Sequence, residues 1–254
     1  MSTANRPTIF PALALLLAAA VLLLCTISYL LGGSPLGKPD AATYTGVPIE
    51  EDVPPLTVVV IDAGHGGEDG GASSAAGLLE KDVNLSVSFA LRDLFEAAGV
   101  PVVMTRIEDK LLYDRNVDFQ GRKKVLDLAA RRIIAEKTAE TAAAGGGASL
   151  FISIHMNAFP APQYSGMQVW YGTGDPLSKD IADSIQAAST ALMPDNHRKT
   201  KAAGSNIYLL DRIQSPAVLV ECGFLSNPAE AERLADEAYR QAVAAVVFAG
   251  VMRR

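Results

Sequence analysis

The sequence predicts an α/β domain, with a mostly parallel central sheet and helices on both faces, preceded by one transmembrane helix. Two observations support this prediction. From residue 56 onward, short apolar runs of strand length alternate with longer segments of helical spacing, the pattern of a parallel sheet with crossover helices. Before that point, residues 9–31 form an uncharged run rich in Leu, Ala and Val.

The apolar run at residues 9–31 is long enough to cross a bilayer as one helix, which takes about 20 residues. We therefore expect residues 1–8 to lie in the cytoplasm and residues 9–31 to be an uncleaved anchor. The rest of this single-pass protein of the cell membrane would then be extracytoplasmic. A cleaved secretory signal is the alternative, but such signals have a shorter apolar region and a small-residue cleavage site.

Composition limits what lies after the anchor. Residues 32–55 are rich in Gly, Pro, Ser and Thr, which is typical of a linker, and residues 56–254 suit one folded domain. The net charge of −6 argues against nucleic acid as a partner, because phosphate binding needs a basic face. Cys25 lies in the anchor and Cys222 in the domain, which argues against an intramolecular disulfide.

Taken in order, the domain alternates between strands and helices. Apolar runs of strand length predict strands at residues 57–61, 100–104, 149–154, 168–171 and 217–220. Helical spacing predicts helices from Glu80 to Gly99, at 122–144, at 177–192 and at 228–251. Asn227-Pro228 is a typical helix start, with Asn as the cap and Pro at the first position.

Residues that bind metals or transfer protons follow three of the predicted strands. His65 lies in the glycine-rich loop at 61–72, His155 follows the third strand, and Glu221 follows the last. Because sites in parallel sheets gather at the carboxyl ends of the strands, we expect these residues to meet. With Glu80, the two histidines form an established ligand set for catalytic zinc, and Glu221 can take a proton from water and pass it to a leaving amine.

Each candidate also has a purely structural interpretation. His65 can be a turn residue, His155 a core histidine, and Glu80 a first-turn glutamate favoured by the helix dipole. Glu221 is harder to explain in this way, because it follows Ala-Val-Leu-Val and a buried carboxylate needs a partner or a function.

The sequence also suggests roles for Cys222, Asp62 and the loop glycines. Cys222 could act as a nucleophile with a histidine, although a small buried cysteine beside a strand is common. Asp62 is expected to orient His65 as a hydrogen-bond acceptor. The loop glycines are expected to let a substrate approach the backbone closely.

At these residues the chain resembles the zinc-dependent N-acetylmuramoyl-L-alanine amidases of the amidase type 3 family. The matching blocks are Ile-Asp-Ala-Gly-His-Gly-Gly-Glu-Asp-Gly-Gly-Ala at 61–72, Leu-Glu-Lys-Asp-Val-Asn-Leu at 79–85, and those at 105–109, 128–131, 151–158 and 216–227. The resemblance implies that residues 56–254 are a zinc amidase catalytic domain. It places the zinc ligands on His65, Glu80 and His155 and the catalytic glutamate on Glu221. The implied reaction cuts peptidoglycan between muramic acid and the first L-alanine of the stem peptide.

A subgroup resemblance refines this expectation. An N-terminal anchor together with Tyr208-Leu209-Leu210 ahead of the 216–227 block resembles the spore-cortex amidases, which act on the way to muramic-δ-lactam, the mark used in germination. A zinc peptidase acting within the stem peptide and a catalytically silent peptidoglycan-binding module are the alternatives. Peptidoglycan and the cytoplasmic membrane are the expected partners, whereas the sequence identifies neither an activator protein nor the substrate-binding residues.

Overall fold

The computed structural model describes residues 54–113, 116 and 121–253 of the 254-residue chain. The predictions for residues 1–53, which include the transmembrane helix and most of the linker, lie outside these residues. Within the described residues, no helix is both long enough and apolar enough to cross a membrane.

The strands of the described part form one mixed, mostly parallel sheet. They are β1 (Leu56–Ala63), β2 (Val102–Met104), β3 (Ala148–Asn157), β4 (Gln168–Tyr171), β5 (Lys201–Ala202) and β6 (Ala217–Phe224). Their spatial order is β2-β1-β3-β6-β4-β5. All neighbours pair in parallel except β4 and β6, which are antiparallel.

Helices cover both faces of this sheet, as predicted. They are α1 (Glu80–Ala97), α2 (Lys123–Ala144), α3 (Leu177–Ala188), α4 (Tyr208–Arg212), α5 (Pro228–Ala235) and α6 (Glu237–Met252). Helices α1, α3 and α6 pack on the face where Val59 and Val220 are buried. Helices α2 and α4 pack on the opposite face, against Val60 and Leu219. The site described below lies on the α2 and α4 side.

Two strands extend further than their apolar runs predicted. Strand β3 continues through His155 to Asn157, and β6 continues through Glu221 to Phe224. The polar residues at these ends stay in the ladder, and His155 pairs in register with Glu221 on the neighbouring strand. The two candidate residues are therefore positioned by strands and not by loops.

Short or interrupted elements account for the other differences. Strand β5 and helix α4 were not predicted, because they are too short to show a periodic pattern. The helix predicted at 228–251 is two helices, since Asp236 breaks it and its side chain accepts hydrogen bonds from the amides of Ala238 and Tyr239. The cap at Asn227 is confirmed, with its side chain accepting from the Glu230 amide.

Candidate active site

Four predicted residues meet at the carboxyl ends of β1, β3 and β6. His65 follows β1, His155 and Glu221 lie side by side on β3 and β6, and Glu80 begins α1. His65, Glu80 and His155 each offer one ligand atom, and these atoms all lie within 4.8 Å of one another. The arrangement is the one expected from the parallel strand order.

Glu80 lies between the two histidines. Its Oε1 is 2.9 Å from His155 Nδ1 and 3.2 Å from His65 Nε2. The amide of Met156 also donates to Oε1, and the amide of Ala72 donates to Oε2. Burial by itself would raise the pKa of this carboxyl, but the hydrogen bonds from His155 and His65 outweigh it and lower the pKa. Glu80 is therefore an ionised carboxylate aimed at two imidazoles, which a helix-dipole role alone does not explain.

Asp69, and not Asp62, orients His65. Asp69 Oδ1 is 3.0 Å from His65 Nδ1, because the glycine loop turns back and pairs Gly66 with Asp69. The Asp62 side chain instead accepts hydrogen bonds on the α2 side of the sheet, as described below, so that prediction is wrong. The spacing of four residues between His65 and Asp69 within a glycine-rich turn is the signal that could have found this pair.

Two buried arginines hold the backbone of the loop. Arg131 donates to the carbonyls of Ala63 and His65, at 2.7 and 2.6 Å. Arg106 donates to the carbonyls of Ala63 and Gly64, at 2.8 and 3.0 Å. His65 has a φ of 61°, a left-handed conformation that costs a non-glycine residue free energy. These four contacts hold the loop in that conformation.

Buried carboxylates balance the charge of Arg131. Its Nη1 lies 2.7 Å from Asp62 Oδ1, and its Nε lies 2.7 Å from Asp127 Oδ2. Asp62 also accepts hydrogen bonds from Thr105 and Ser153. Burial by itself would raise the pKa of Asp62, but the charge of Arg131 and these hydrogen bonds lower it. Arg131 and Arg106 lie within or beside sequence blocks of the resemblance, yet no sequence periodicity indicated their role.

Two loop glycines make room for protein side chains. A Cβ at Gly64 would overlap the His155 ring. At Gly71, where φ is +67°, a Cβ would lie 2.5 Å from Glu80 Oε2 and 2.8 Å from the His65 ring. Gly64 and Gly71 thus make room for the candidate ligands, and the approach of substrate to the loop stays a prediction.

Glu221 lies beside this cluster with a carboxylate oxygen that is not satisfied. Its Oε2 is buried and has no hydrogen-bond partner among the described residues. Burial raises the pKa of Glu221 to about 7, against the opposing effect of His155. A carboxyl group with a pKa close to neutral can both take up and release a proton.

A cleft of about 250 Å³ opens over these residues on the α2 and α4 side of the sheet. His65, His155 and Glu221 form its floor. Its apolar wall comes from α2, α4, β6 and the turn before α4, and consists of Leu128, Ile207, Leu209 and Leu219. The cleft gives a small ligand access to the polar cluster.

Cys222 cannot reach this cleft. It follows Glu221 on the same strand, so its side chain points to the opposite face, where it is fully buried in the apolar core. Burial raises the pKa of its thiol, which disfavours the thiolate that a nucleophile needs. The structure therefore contradicts the cysteine–histidine alternative.

Comparison with known proteins agrees with the geometry. The model of the N-acetylmuramoyl-L-alanine amidase family, Amidase_3, matches residues 59–253. The chain belongs to the N-acetylmuramoyl-L-alanine amidase family. This amidase is 37% identical over 197 residues to a germination-specific N-acetylmuramoyl-L-alanine amidase of Bacillus subtilis, covering 77% of this chain and 78% of the relative. It is 29% identical over 238 residues to the amidase AmiC of Neisseria meningitidis, covering 77% of this chain and 52% of the relative.

A solved structure shares the fold. The CwlD amidase of Clostridioides difficile, seen in complex with the GerS lipoprotein, superposes with a TM-score of 0.70 at 35% identity. The match covers 78% of this chain and 97% of that one. The amidase is thus an enzyme that hydrolyses the bond between N-acetylmuramic acid and L-alanine in peptidoglycan, and the amidase prediction is confirmed. The peptidase and binding-module alternatives gain no support.

Replacing Gly64 by alanine should disturb the site without unfolding the domain. Because the new Cβ would overlap the His155 ring, the ring or the loop must shift, which should disturb the contact of the ring with Glu80. We expect amidase activity to fall by at least about tenfold, as misplaced catalytic groups cost large factors in rate. Gly70→Ala is the matched control, since a Cβ there would meet only Leu79, at an ordinary 3.8 Å. Equal activities of the two variants, measured by release of L-alanine amino termini, would contradict this role of Gly64.

Proposed function

We propose that this amidase is a zinc enzyme in which His65, Glu80 and His155 hold the ion and Glu221 transfers protons. One observation carries the proposal: two imidazoles that line the cleft and an ionised carboxylate buried behind them present ligand atoms within 4.8 Å of one another. This donor set is an established one for catalytic zinc.

The surroundings of the donors fit a metal site. Asp69 fixes the orientation of the His65 ring, and the Ala72 amide fixes Glu80. Such partners of the ligands keep ligand atoms in place and strengthen metal binding. Glycines 64 and 71 leave the space that these side chains need.

The protein groups then divide the work of amide hydrolysis. An ion held by His65, Glu80 and His155 would supply Lewis acidity, which lowers the pKa of water and polarises a carbonyl. Glu221 accepts the proton of the attacking water at its carboxylate and returns it to the nitrogen of L-alanine as that nitrogen leaves. The unpartnered Oε2 and a pKa of about 7 suit both steps.

Zinc should stabilise the folded protein. If free zinc exceeds its dissociation constant a hundredfold, binding adds about 2.7 kcal/mol to the free energy of unfolding. We expect the full-length protein to carry one zinc per chain and to melt at a lower temperature after chelation. His155→Ala should lose both the zinc and the shift in melting temperature, whereas His197→Ala, on an exposed loop, should keep both. A zinc-dependent shift that survives in His155→Ala would overturn this ligand assignment.

Product analysis tests the reaction. Mass spectrometry of digested peptidoglycan should find muramic acid without peptide, together with intact stem peptides that begin with L-alanine. Shortened stem peptides still joined to muramic acid would instead support the peptidase. Digestion by the purified protein alone would also show that no activator protein is required.

We further propose that residues 9–31 anchor the amidase in the cell membrane, with the catalytic domain on the outer side. The support is the length of the uncharged run and the place of the substrate outside the membrane. Protease added to intact protoplasts should remove the catalytic domain. Resistance of the domain until the membrane is broken would contradict this orientation.

A role in the spore cortex is the more specific proposal. It is supported by the 37% identity to a relative named as germination-specific. Loss of the gene should remove muramic-δ-lactam from the cortex and block germination, and only an active copy should restore both. Normal muramic-δ-lactam in the deletion strain would point to the vegetative wall as the substrate.

A further inference from the structure

Lys124 lies at the cleft in a position that the amidase mechanism leaves without a role. It is the second residue of α2, and its side chain is 68% exposed. It lines the same cleft as His65, His155 and Glu221. Its ammonium nitrogen is 3.6 Å from Asp69 Oδ2, which keeps it on the side of the glycine loop.

The charge of Lys124 is available to a ligand. Among the described residues that line the cleft, Lys124 and Arg131 carry the positive charges. Arg131 is 1% exposed, and its guanidinium is committed to Asp62, Asp127 and backbone carbonyls. The pair of Lys124 with Asp69 is long and exposed, and exposed pairs contribute about 1 kcal/mol or less. An incoming anion can therefore compete for the lysine.

The start of helix α2 adds to the preference for an anion. Its first turn carries no acidic residue, and no side chain caps it. The partial positive charge of the 22-residue helix at that end is thus not neutralised locally by an acidic residue of the first turn. Glu68 and Asp69 of the glycine loop already pair with Lys123 and Lys124 at this end, so an incoming anion competes with Asp69 for Lys124.

The lining of the cleft favours peptide over glycan. The volume of about 250 Å³ lies below the usual range of ligand pockets, roughly 300–1,000 Å³, so the cleft takes only a short part of the substrate. The apolar wall at Leu128 and Leu219 suits the methyl group of L-alanine. In the stem peptide, L-alanine is followed by a glutamate joined through its γ-carboxyl, so its α-carboxyl is either free or amidated.

We propose that Lys124 binds the free α-carboxylate of the glutamate that follows L-alanine. The amidase would then prefer stem peptides in which this carboxylate is free over those in which it is amidated. The inference rests on the proposed function, because it places L-alanine beside Glu221. Lys124 touches no reacting atom and is a specificity-determining residue. Its effect should appear in KM and not in kcat.

Two soluble substrates test the proposal, N-acetylmuramoyl-L-alanyl-D-glutamate and its D-isoglutamine counterpart. The zinc-loaded full-length protein should cleave the free acid with a kcat/KM about fivefold higher, the factor expected for an exposed charge pair. Lys124→Gln should bring the ratio of the two kcat/KM values close to one, through KM for the free acid. Lys124→Arg should keep the preference, and Lys124→Glu should reverse it.

The control is Lys137→Gln, an exposed lysine on the far half of the same helix, which should keep the wild-type ratio. The preference should also weaken as salt is raised, because salt screens exposed charges. Two results would overturn the role of Lys124 and leave the amidase assignment standing. One is equal kcat/KM values of the wild type on the two substrates; the other is an equal fall of kcat/KM on both substrates in Lys124→Gln. Failure of the same wild-type sample to cleave the two substrates and intact peptidoglycan would overturn the proposed function itself.

Discussion

Replacing Glu221 by glutamine should lower amidase turnover by about a thousandfold or more while zinc stays bound. Glutamine keeps the shape of the side chain but cannot exchange a proton, and positioned general acid–base groups contribute roughly 10²–10⁴-fold to rate. The measurement is kcat on digested peptidoglycan, with zinc content determined on the same samples. Glu140→Gln, an equal change of charge on an exposed part of α2, should keep the wild-type kcat.

Two outcomes would contradict this role. Loss of zinc together with activity would make Glu221 a ligand. Turnover within tenfold of the wild type would show that another group transfers the proton.

The same substitution should stabilise the metal-free protein at neutral and alkaline pH. Burial raises the pKa of Glu221 from 4.5 to about 7, so the folded state holds its proton longer than the unfolded state does. Ionisation of Glu221 therefore costs the wild type stability as the pH rises from about 4.5, and the cost is complete above about 7. Glu221→Gln removes this cost, of order 1–3 kcal/mol. Urea unfolding of the two chelated proteins should show a clearly larger difference at pH 8 than at pH 5.

Replacing Arg131 by methionine should be among the most destabilising changes in the domain. It leaves Asp62 and Asp127 buried without their partner, and removal of one member of a buried ion pair costs about 3–5 kcal/mol. It also removes the donors to the carbonyls of Ala63 and His65, so zinc binding should weaken as well. Arg132→Met is the matched control, because Arg132 forms a partly exposed pair with Glu136 on the same helix.

The cost of Arg131→Met should depend on pH in a defined direction. In the wild type, Arg131 helps to lower the pKa of Asp62 from 3.8, so the stability that this group contributes is present above that value and lost below it. Without Arg131, burial raises the pKa of Asp62, so lowering the pH protonates Asp62 and removes the buried charge from the variant. The difference in the free energy of unfolding between the wild type and Arg131→Met should therefore become smaller as the pH falls toward 4. A difference below 1 kcal/mol at pH 7 would show that the network contributes little to stability.

Much of the site was predictable because strand ends are visible in the sequence. Apolar runs locate β1, β3 and β6, and a parallel order brings the residues that follow them to one edge of the sheet. The sequence alone therefore predicts that His65, His155 and Glu221 lie close together. The sequence blocks around them also identified the family, which the comparison confirmed.

The groups that support these residues could not be found in this way. Arg131 and Asp62 are 69 positions apart, and the structure alone brings them together. The antiparallel pairing of β4 with β6 and the short helix α4 likewise leave no local periodicity. Nearness in sequence favours Asp62 as the partner of His65, whereas the alternation of side chains along β1 turns Asp62 toward Arg131 of α2.

By itself, the sequence determined the order of the longer elements, the family and the four candidate site residues, since hydrophobic periodicity and short motifs are local properties of the chain. Only the tertiary structure decided what holds those residues in place: Asp69 on His65, the arginine network under the loop, and the glycines against His155 and Glu80. Only the tertiary structure also placed Lys124 beside the cleft. These contacts join distant segments, and their geometry depends on how the helices pack on the sheet, which no local pattern records.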